Sequence, residues 1–202
     1  MGPMISSIFK PAVTRVITPI AKLALRAGAT PNAVTIMGAC GVVASASYFY
    51  PRGDFFLGTL MICLFSLSDL FDGAMARLSD SGASTWGAFL DSTIDRIADS
   101  AILISVLIAL DKRDDRLAPV VAIALVTGIL IPYIRAKAES LGINCSGGIA
   151  ERTERVVIAL VAIGLDGLGV PYVMTIGFWL LATIGIITVG QRILIVRKQV
   201  SL

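Results

Sequence analysis

Six apolar stretches without a single charged residue divide this 202-residue chain. A helix needs about 20 mostly apolar residues to cross a bilayer. The whole chain is 56% hydrophobic and 15% charged, whereas soluble domains carry about 45–50% apolar and about 25% charged residues. We therefore predict an all-α, polytopic membrane protein with six transmembrane helices and no large soluble domain. The stretches cover residues 33–50, 55–68, 100–110, 117–134, 156–165 and 170–190.

The segment before the first apolar stretch has a helical pattern of its own. Arg15, Lys22 and Arg26 are spaced so that they share one stripe of a helix. We expect residues 1–29 to form an amphipathic juxtamembrane helix in the headgroup layer, kinked or broken at Pro19. A frayed cytoplasmic tail is the alternative. Residues 30–202 would form the six-helix bundle, and residues 1–202 a single domain.

Basic residues are distributed unevenly between the two sides of the predicted membrane topology. Thirteen of the 17 lysines and arginines fall on the side that holds both chain ends. The positive-inside rule assigns that side to the cytoplasm. We predict a multi-pass protein of the cell membrane with cytoplasmic termini and a cytoplasmic functional site, and no nucleic-acid partner.

Histidine is absent from the sequence, and its three cysteines are widely spaced. This composition excludes imidazole ligands, Ser-His and Cys-His nucleophiles, and zinc motifs that need a histidine pair. The cysteines are interpreted as small apolar fillers. Any metal or acid–base chemistry must therefore use oxygen ligands.

Four aspartates lie at the ends of the second and third apolar stretches. Placing an acidic side chain inside a membrane span costs several kcal/mol of free energy, so these residues need an explanation. Asp69 and Asp72 are three residues apart and Asp91 and Asp95 are four apart, so each pair shares one helix face. If the pairs face each other, their carboxylates repel unless cations neutralise them. Hard divalent ions such as Mg²⁺ or Mn²⁺ suit an all-oxygen site of this kind.

The neighbours of these aspartates indicate a phosphate ligand. Gly73 leaves room for a ligand to approach the backbone, and Arg77 offers a planar fork of donors. Gly87 provides a second position without a side chain, four residues before Asp91. The alternative, in which the acids only form buried ion pairs with Arg77 and Arg96, explains at most two of the four aspartates.

The patterns Asp-x-x-Asp-Gly-x-x-Ala-Arg over residues 69–77 and Gly-x-x-x-Asp-x-x-x-Asp over residues 87–95 resemble the signature of the CDP-alcohol phosphotransferase family. The spacer over residues 78–86 is one residue longer than the usual one, which leaves the register of nearby contacts open. The resemblance implies a six-span enzyme that binds a CDP-linked lipid through two metal ions, Mg²⁺ or alternatively Mn²⁺.

The same resemblance assigns roles to individual residues. Asp95 would act as the base on the attacking hydroxyl. The metal ligands would be Asp69, Asp72, Asp91 and Asp95. The CDP-lipid would be held by Asn32, Thr35, Gly73, Arg77 and Ser84.

Basic residues also collect at the cytoplasmic ends of the last three predicted spans. Such a cluster suits a phosphorylated acceptor, although the positive-inside rule and lipid headgroups would also account for it. Residues 135–142 and 151–155 resemble the actinobacterial phosphatidylinositol phosphate synthases, which join CDP-diacylglycerol to myo-inositol 3-phosphate and release CMP. The expected acceptor-binding residues are Arg135, Lys137, Arg152, Arg155 and Arg192.

Two alternatives to this function stay open. A phosphatidylglycerophosphate synthase would use glycerol 3-phosphate, but such enzymes often have Asp-Lys at the last acid, where this chain has Asp95 and Arg96. An ion-coupled transporter would also carry intramembrane acids, but the chain lacks paired inverted halves. The family resemblance further implies a homodimer among membrane lipids. The sequence does not decide whether Asp99, one turn after Asp95, takes part.

Overall fold

The computed structural model describes residues 18–78, 84–113, 115–145 and 147–200, and these residues form helices and no β-strand. The first helix, α1, covers residues 18–26. It is followed by α2 (Pro31–Phe49), a 3₁₀ turn (Tyr50–Arg52), α3 (Phe55–Ser66), α4 (Ser68–Leu78), α5 (Thr85–Asp111), α6 (Ala118–Ser140), α7 (Arg152–Gly167) and α8 (Val173–Val200). The all-α prediction is confirmed.

The helices that match the predicted spans differ in length and apolar character. Within the described residues, four segments are long and apolar enough to cross a membrane: Pro31–Arg52, Phe55–Leu78, Ala118–Ser140 and Val173–Val200. Helix α5 has 27 residues but carries acids in its first half, and α7 has only 16 residues. The structure thus supports several membrane helices, and the count of six stays a prediction.

Two helix boundaries differ from the sequence-based expectation. The second apolar stretch is divided into α3 and α4 at Leu67, between serines whose hydroxyls compete for backbone hydrogen bonds. Helix α8 continues to Val200 instead of ending at residue 190. Gly190 lowers helix propensity without breaking the helix, because good helix formers such as Gln191, Arg192 and Leu194 follow it. Arg192 therefore lies within α8, as expected for a residue near the end of the last predicted span.

The chain divides into two compact units. The described residues of the first unit lie within Met1–Val43 and Ile62–Ala98, and those of the second within Ala44–Met61 and Asp99–Leu202. In the first unit, glycines bring α2 close to its neighbours. A Cβ added at Gly38 or Gly41 would overlap the side chain of Ser68 or of Phe65.

Helix α1 packs on α4 through its small residues. Ala21 is fully buried and shares a cluster with Ala74 and Met75, whereas Ile20 and Leu23 are exposed. The described part of the expected juxtamembrane helix is therefore helical, with apolar side chains left uncovered. Residues 1–17, which include Arg15, lie outside the described residues.

In the second unit too, glycines allow neighbouring helices to pack closely. A Cβ on Gly177 of α8 would overlap the Cβ of Ala162 on α7, and one on Gly185 would overlap Thr127 on α6. Thr127 is buried and its hydroxyl lies 2.9 Å from the carbonyl oxygen of Ile123. The threonine therefore has little freedom to move away.

We expect Gly185→Ala to lower the melting temperature of the purified protein. Overpacking costs about 1–3 kcal/mol, which outweighs the gain in helix propensity of up to about 1 kcal/mol. The matched control is Gly190→Ala on the same helix, because an added Cβ there meets no described atom within 4 Å. The control should melt at the same or a higher temperature, and equal losses in both variants would contradict this packing.

Candidate active site

The four aspartates of the signature lie on two helices of the first unit. Asp69 and Asp72 are on α4, and Asp91 and Asp95 are on the first half of α5. Asp72 is buried, and the hydroxyl of Thr35 on α2 donates a hydrogen bond to its Oδ2 atom. Thr35 is itself only 8% exposed. The most enclosed carboxylate of the site is therefore oriented by a residue from another helix.

Asp72 and Asp91 bring the two helices into electrostatic contact. The Asp91 carboxylate exerts a weak repulsion on that of Asp72, smaller than the effects of burial and of the hydrogen bond from Thr35. In the described ranges, no three carboxylate or thiol side chains converge as a preformed metal site. Like charges that approach across two helices, with oxygen as the donor atom, nevertheless fit a hard divalent cation, which would relieve their repulsion.

Asp95 lies next to a positively charged side chain. One of its carboxylate oxygens lies 3.5 Å from Nη2 of Arg96, and the two side chains are 18% and 27% exposed. The half-buried carboxylate is thus within reach of a bound molecule and next to a positive charge. Its role toward a substrate hydroxyl, which the family resemblance implies, stays a prediction.

The expected CDP-binding residues surround two positions without side chains. The Gly87 N–H donates to Oγ of Ser84 at 2.9 Å, which caps the start of α5. A Cβ on Gly87 would lie 3.2 Å from Oδ1 of Asn32, and one on Gly73 would lie 3.5 Å from Nη1 of Arg77. The structure therefore groups Asn32 and Ser84 around Gly87 and places Arg77 over Gly73. Residues 79–83 of the lengthened spacer lie outside the described residues.

The expected acceptor-binding residues all lie in the second unit. Arg152 forms two hydrogen bonds of 2.9 Å with Asp99. Arg155 donates from Nη1 to the carbonyl oxygen of Ala150 at 3.0 Å. Both arginines are half-buried at the start of α7.

Arg192 is more enclosed than the other basic residues, at 9% exposed. Its Nε donates to the carbonyl oxygen of Gly147 at 3.0 Å and its Nη1 donates to that of Ile131. It therefore ties the segment before α7 to α6 and α8, in addition to any role toward a ligand.

Helix α6 contributes the two most exposed basic residues of the cluster. Arg135 is paired with Glu139 one turn later at 2.8 Å, and Lys137 is exposed. An arginine four residues before a glutamate forms such a pair from local spacing alone. These two side chains can therefore reorient toward an anion without disturbing the helix packing.

An aromatic pair near the signature aspartates was not predicted from the sequence. Trp86 and Phe89 stack at the start of α5 with ring centroids 5.6 Å apart, and both are largely exposed. Exposed aromatic residues at the end of an apolar helix are typical of the membrane–water interface, and that signal was available in the sequence.

Comparison with known proteins identifies the family. The CDP-alcohol phosphatidyltransferase family model matches residues 28–190. The chain is 41% identical over 205 residues to the phosphatidylinositol phosphate synthase of Streptomyces avermitilis, covering 97% of this chain and 84% of that protein. For the enzyme of the same name from Mycobacterium tuberculosis, the identity is 42% over 187 residues, covering 90% and 86%.

Solved structures support the same assignment. The crystal structure of the Mycobacterium tuberculosis synthase with CDP-DAG bound matches with a TM-score of 0.85 and 42% identity, over 90% of this chain and 94% of that chain. Its complex with manganese and citrate matches with a TM-score of 0.84 and 40% identity, over 89% and 88%. With the signature aspartates on α4 and α5, these findings establish that the chain belongs to the CDP-alcohol phosphatidyltransferase family.

Proposed function

We propose that this chain transfers the phosphatidyl group of CDP-diacylglycerol to myo-inositol 3-phosphate and releases CMP. The observation that carries the proposal is its similarity, over 97% and 90% of its length, to relatives named phosphatidylinositol phosphate synthase. In this reaction the acceptor hydroxyl forms a new bond to the phosphorus of the phosphatidyl group, and the pyrophosphate bond to CMP breaks.

The signature aspartates are the residues that would hold the metal. Two divalent ions, Mg²⁺ or Mn²⁺, would neutralise the pyrophosphate and stabilise the leaving phosphate of CMP. The manganese in a solved relative supports a divalent ion in general. The proposed ligands are Asp69, Asp72, Asp91 and Asp95.

The other residues of the first unit would bind the nucleotide and move the proton. Arg77, beside Gly73, would donate hydrogen bonds to the phosphates, and Asn32 and Ser84 would contact the nucleotide across Gly87. Asp95 would accept the proton of the attacking hydroxyl, since a carboxylate at the edge of a polar site can act as a general base.

The proposal includes a membrane topology. We assign α5 and α7 as spans beside the four apolar segments, with α1 in the juxtamembrane position and the site and both termini in the cytoplasm. A 27-residue helix is about 40 Å long. The 16 residues of α7 reach about 24 Å, which needs local thinning of the bilayer. A homodimer is part of the same proposal, by analogy with the family.

The acceptor is tested by measuring CMP release from CDP-diacylglycerol and Mg²⁺. Inositol phosphate, glycerol 3-phosphate, free inositol and serine are offered in parallel, with Asp95→Asn as the blank. Release with inositol phosphate alone is the expected result. Release with glycerol 3-phosphate instead would keep the family and overturn the acceptor, and release with none of the four would contradict the proposed reaction.

We expect Arg155→Ala to raise the KM for inositol phosphate by about tenfold or more, because a hydrogen bond to a charged group contributes about 1.5–3 kcal/mol. The KM for CDP-diacylglycerol should change much less. Steady-state CMP release with each substrate varied in turn gives both values. Arg116→Ala is the control, an exposed arginine just before α6. Equal increases in both KM values would contradict the assignment of Arg155 to the acceptor.

A further inference from the structure

Asp99 and Arg152 form an ion pair that joins α5 to α7 within the second unit. Nε of the arginine donates to Oδ2 of the aspartate and Nη2 donates to Oδ1, both at 2.9 Å. This bidentate geometry fixes the relative orientation of the two groups. The Arg152 side chain is only 30% exposed and that of Asp99 only 25%. The pair is therefore better shielded from water than an ordinary surface ion pair.

The ion pair is located at the start of α7, directly after an irregular segment of the chain. Arg152 is the first residue of α7, and the described residues just before it have no regular secondary structure. Gly147 and Gly148 have φ angles of 147° and 143°, which side-chain-bearing residues rarely adopt. The described residues of this segment form no backbone ladder, so side-chain contacts, such as the hydrogen bond from Arg192 to the Gly147 carbonyl, help to set the position of the first helical turn.

The local contacts of α7 cannot supply that anchor. The capping box of Glu151 and Glu154, with the Glu151 N–H donating to Oε2 of Glu154 at 2.9 Å, satisfies backbone donors only from within the same turn. Asp99, in contrast, contacts the first turn of α7 although it lies 53 positions before Arg152 in the sequence. The ion pair therefore connects the first turn of α7 to a separate, long helix.

Two positive side chains at the start of α7 face the unfavourable end of the helix dipole. Arg152 and Arg155 lie in the first turn of α7, where the helix dipole disfavours positive charge. The Asp99 carboxylate offsets this at Arg152. Arg155 lies three residues later on the same face, so its direction follows the position of the turn.

We propose that Asp99 is a positioning residue for the acceptor: its ion pair with Arg152 fixes the first turn of α7 and directs Arg155 toward the acceptor phosphate. The inference rests on the proposed function, because it takes inositol phosphate as the acceptor. Arg152 is then the anchor of the helix, and Arg155 is the group that binds the phosphate.

The test measures both KM values and kcat by CMP release from the full-length Asp99→Asn protein. The KM for inositol phosphate should rise about tenfold, equivalent to about 1.4 kcal/mol, with kcat and the KM for CDP-diacylglycerol little changed. Asp99→Glu, which keeps the charge, should have an intermediate effect. The double variant Asp99→Arg with Arg152→Asp should recover most of the lost affinity. Asp111→Asn, at the far end of α5, is the matched control.

A merely structural role gives a different pattern. An unchanged KM for inositol phosphate, equal changes in both KM values, or no recovery in the charge-swapped variant would each overturn the proposal. If Asp99→Asn does not fold, Asp99→Glu and the charge swap carry the test.

Failure of the proposed function is recognised separately, in the wild-type protein. Turnover with glycerol 3-phosphate in place of inositol phosphate would refute that function, and the KM comparison is then made with glycerol 3-phosphate. A wild-type protein that neither uses nor binds either acceptor would overturn both proposals.

Discussion

Asp95→Asn is expected to lower CMP release by about 10²–10⁴-fold, the usual contribution of a general base. The amide keeps the size of the side chain and one oxygen, but it cannot accept a proton from the attacking hydroxyl. Binding of CDP-diacylglycerol should be largely retained, because the proposed nucleotide contacts lie on other residues. The loss should appear mainly in kcat, since Asp69, Asp72 and Asp91 remain to hold the metal, while the proton acceptor needed in the chemical step is gone.

The measurement pairs turnover with an independent binding assay. CMP release gives kcat, and retention of radiolabelled CDP-diacylglycerol by the purified protein gives its affinity. Asp111→Asn introduces the same change at the other end of α5, and it should behave as the wild type. Lost lipid binding together with substantial residual turnover would be incompatible with Asp95 as the base.

The helices were predictable because their signal is local. An uncharged apolar run marks a membrane helix wherever it packs, and α2, α6 and α8 lie where such runs occur. Helix ends were less predictable, since they depend on the balance between weak propensities and packing. Helix α8 passes Gly190 without interruption, and α3 ends without a glycine or proline nearby.

The pairing of the signature aspartates on each helix was predictable from the sequence, and their long-range contacts were not. Spacings of three and four residues place two carboxylates on one helix face, which is enough to identify the acids of α4 and α5. The hydrogen bond from Thr35 to Asp72 joins residues 37 positions apart. The contact of Arg192 with the Ile131 carbonyl spans 61 positions. Such pairings follow from tertiary packing, which no periodicity in the sequence encodes.

These long-range contacts change the interpretation of individual residues. The resemblance assigned Thr35 to the CDP-lipid, but its hydroxyl donates to Asp72, a proposed metal ligand. A hydrogen-bond donor to a ligating carboxylate orients that ligand and is typically needed for full metal affinity. The effect of Thr35 should therefore be seen first in the metal requirement.

Thr35→Val is expected to raise the Mn²⁺ concentration needed for half-maximal turnover by about 10–100-fold, as for other residues that orient a metal ligand. Valine keeps the shape of threonine and removes only the hydroxyl. Protein stripped of divalent ions with EDTA should release no CMP, and titration with Mn²⁺ should restore turnover. The electron paramagnetic resonance signal of free Mn²⁺ reports binding independently of activity.

The matched control is Thr183→Val on α8, where the hydroxyl donates to the Trp179 carbonyl of its own helix at 2.8 Å. It should titrate with Mn²⁺ as the wild type does. If Thr35→Val instead raises the KM for CDP-diacylglycerol and leaves the Mn²⁺ titration unchanged, Thr35 contacts the nucleotide, as the resemblance implied. A higher Mn²⁺ requirement with an unchanged lipid KM at saturating metal would show that the hydroxyl acts through Asp72, because only the carboxylate it orients would then have lost affinity for its ion.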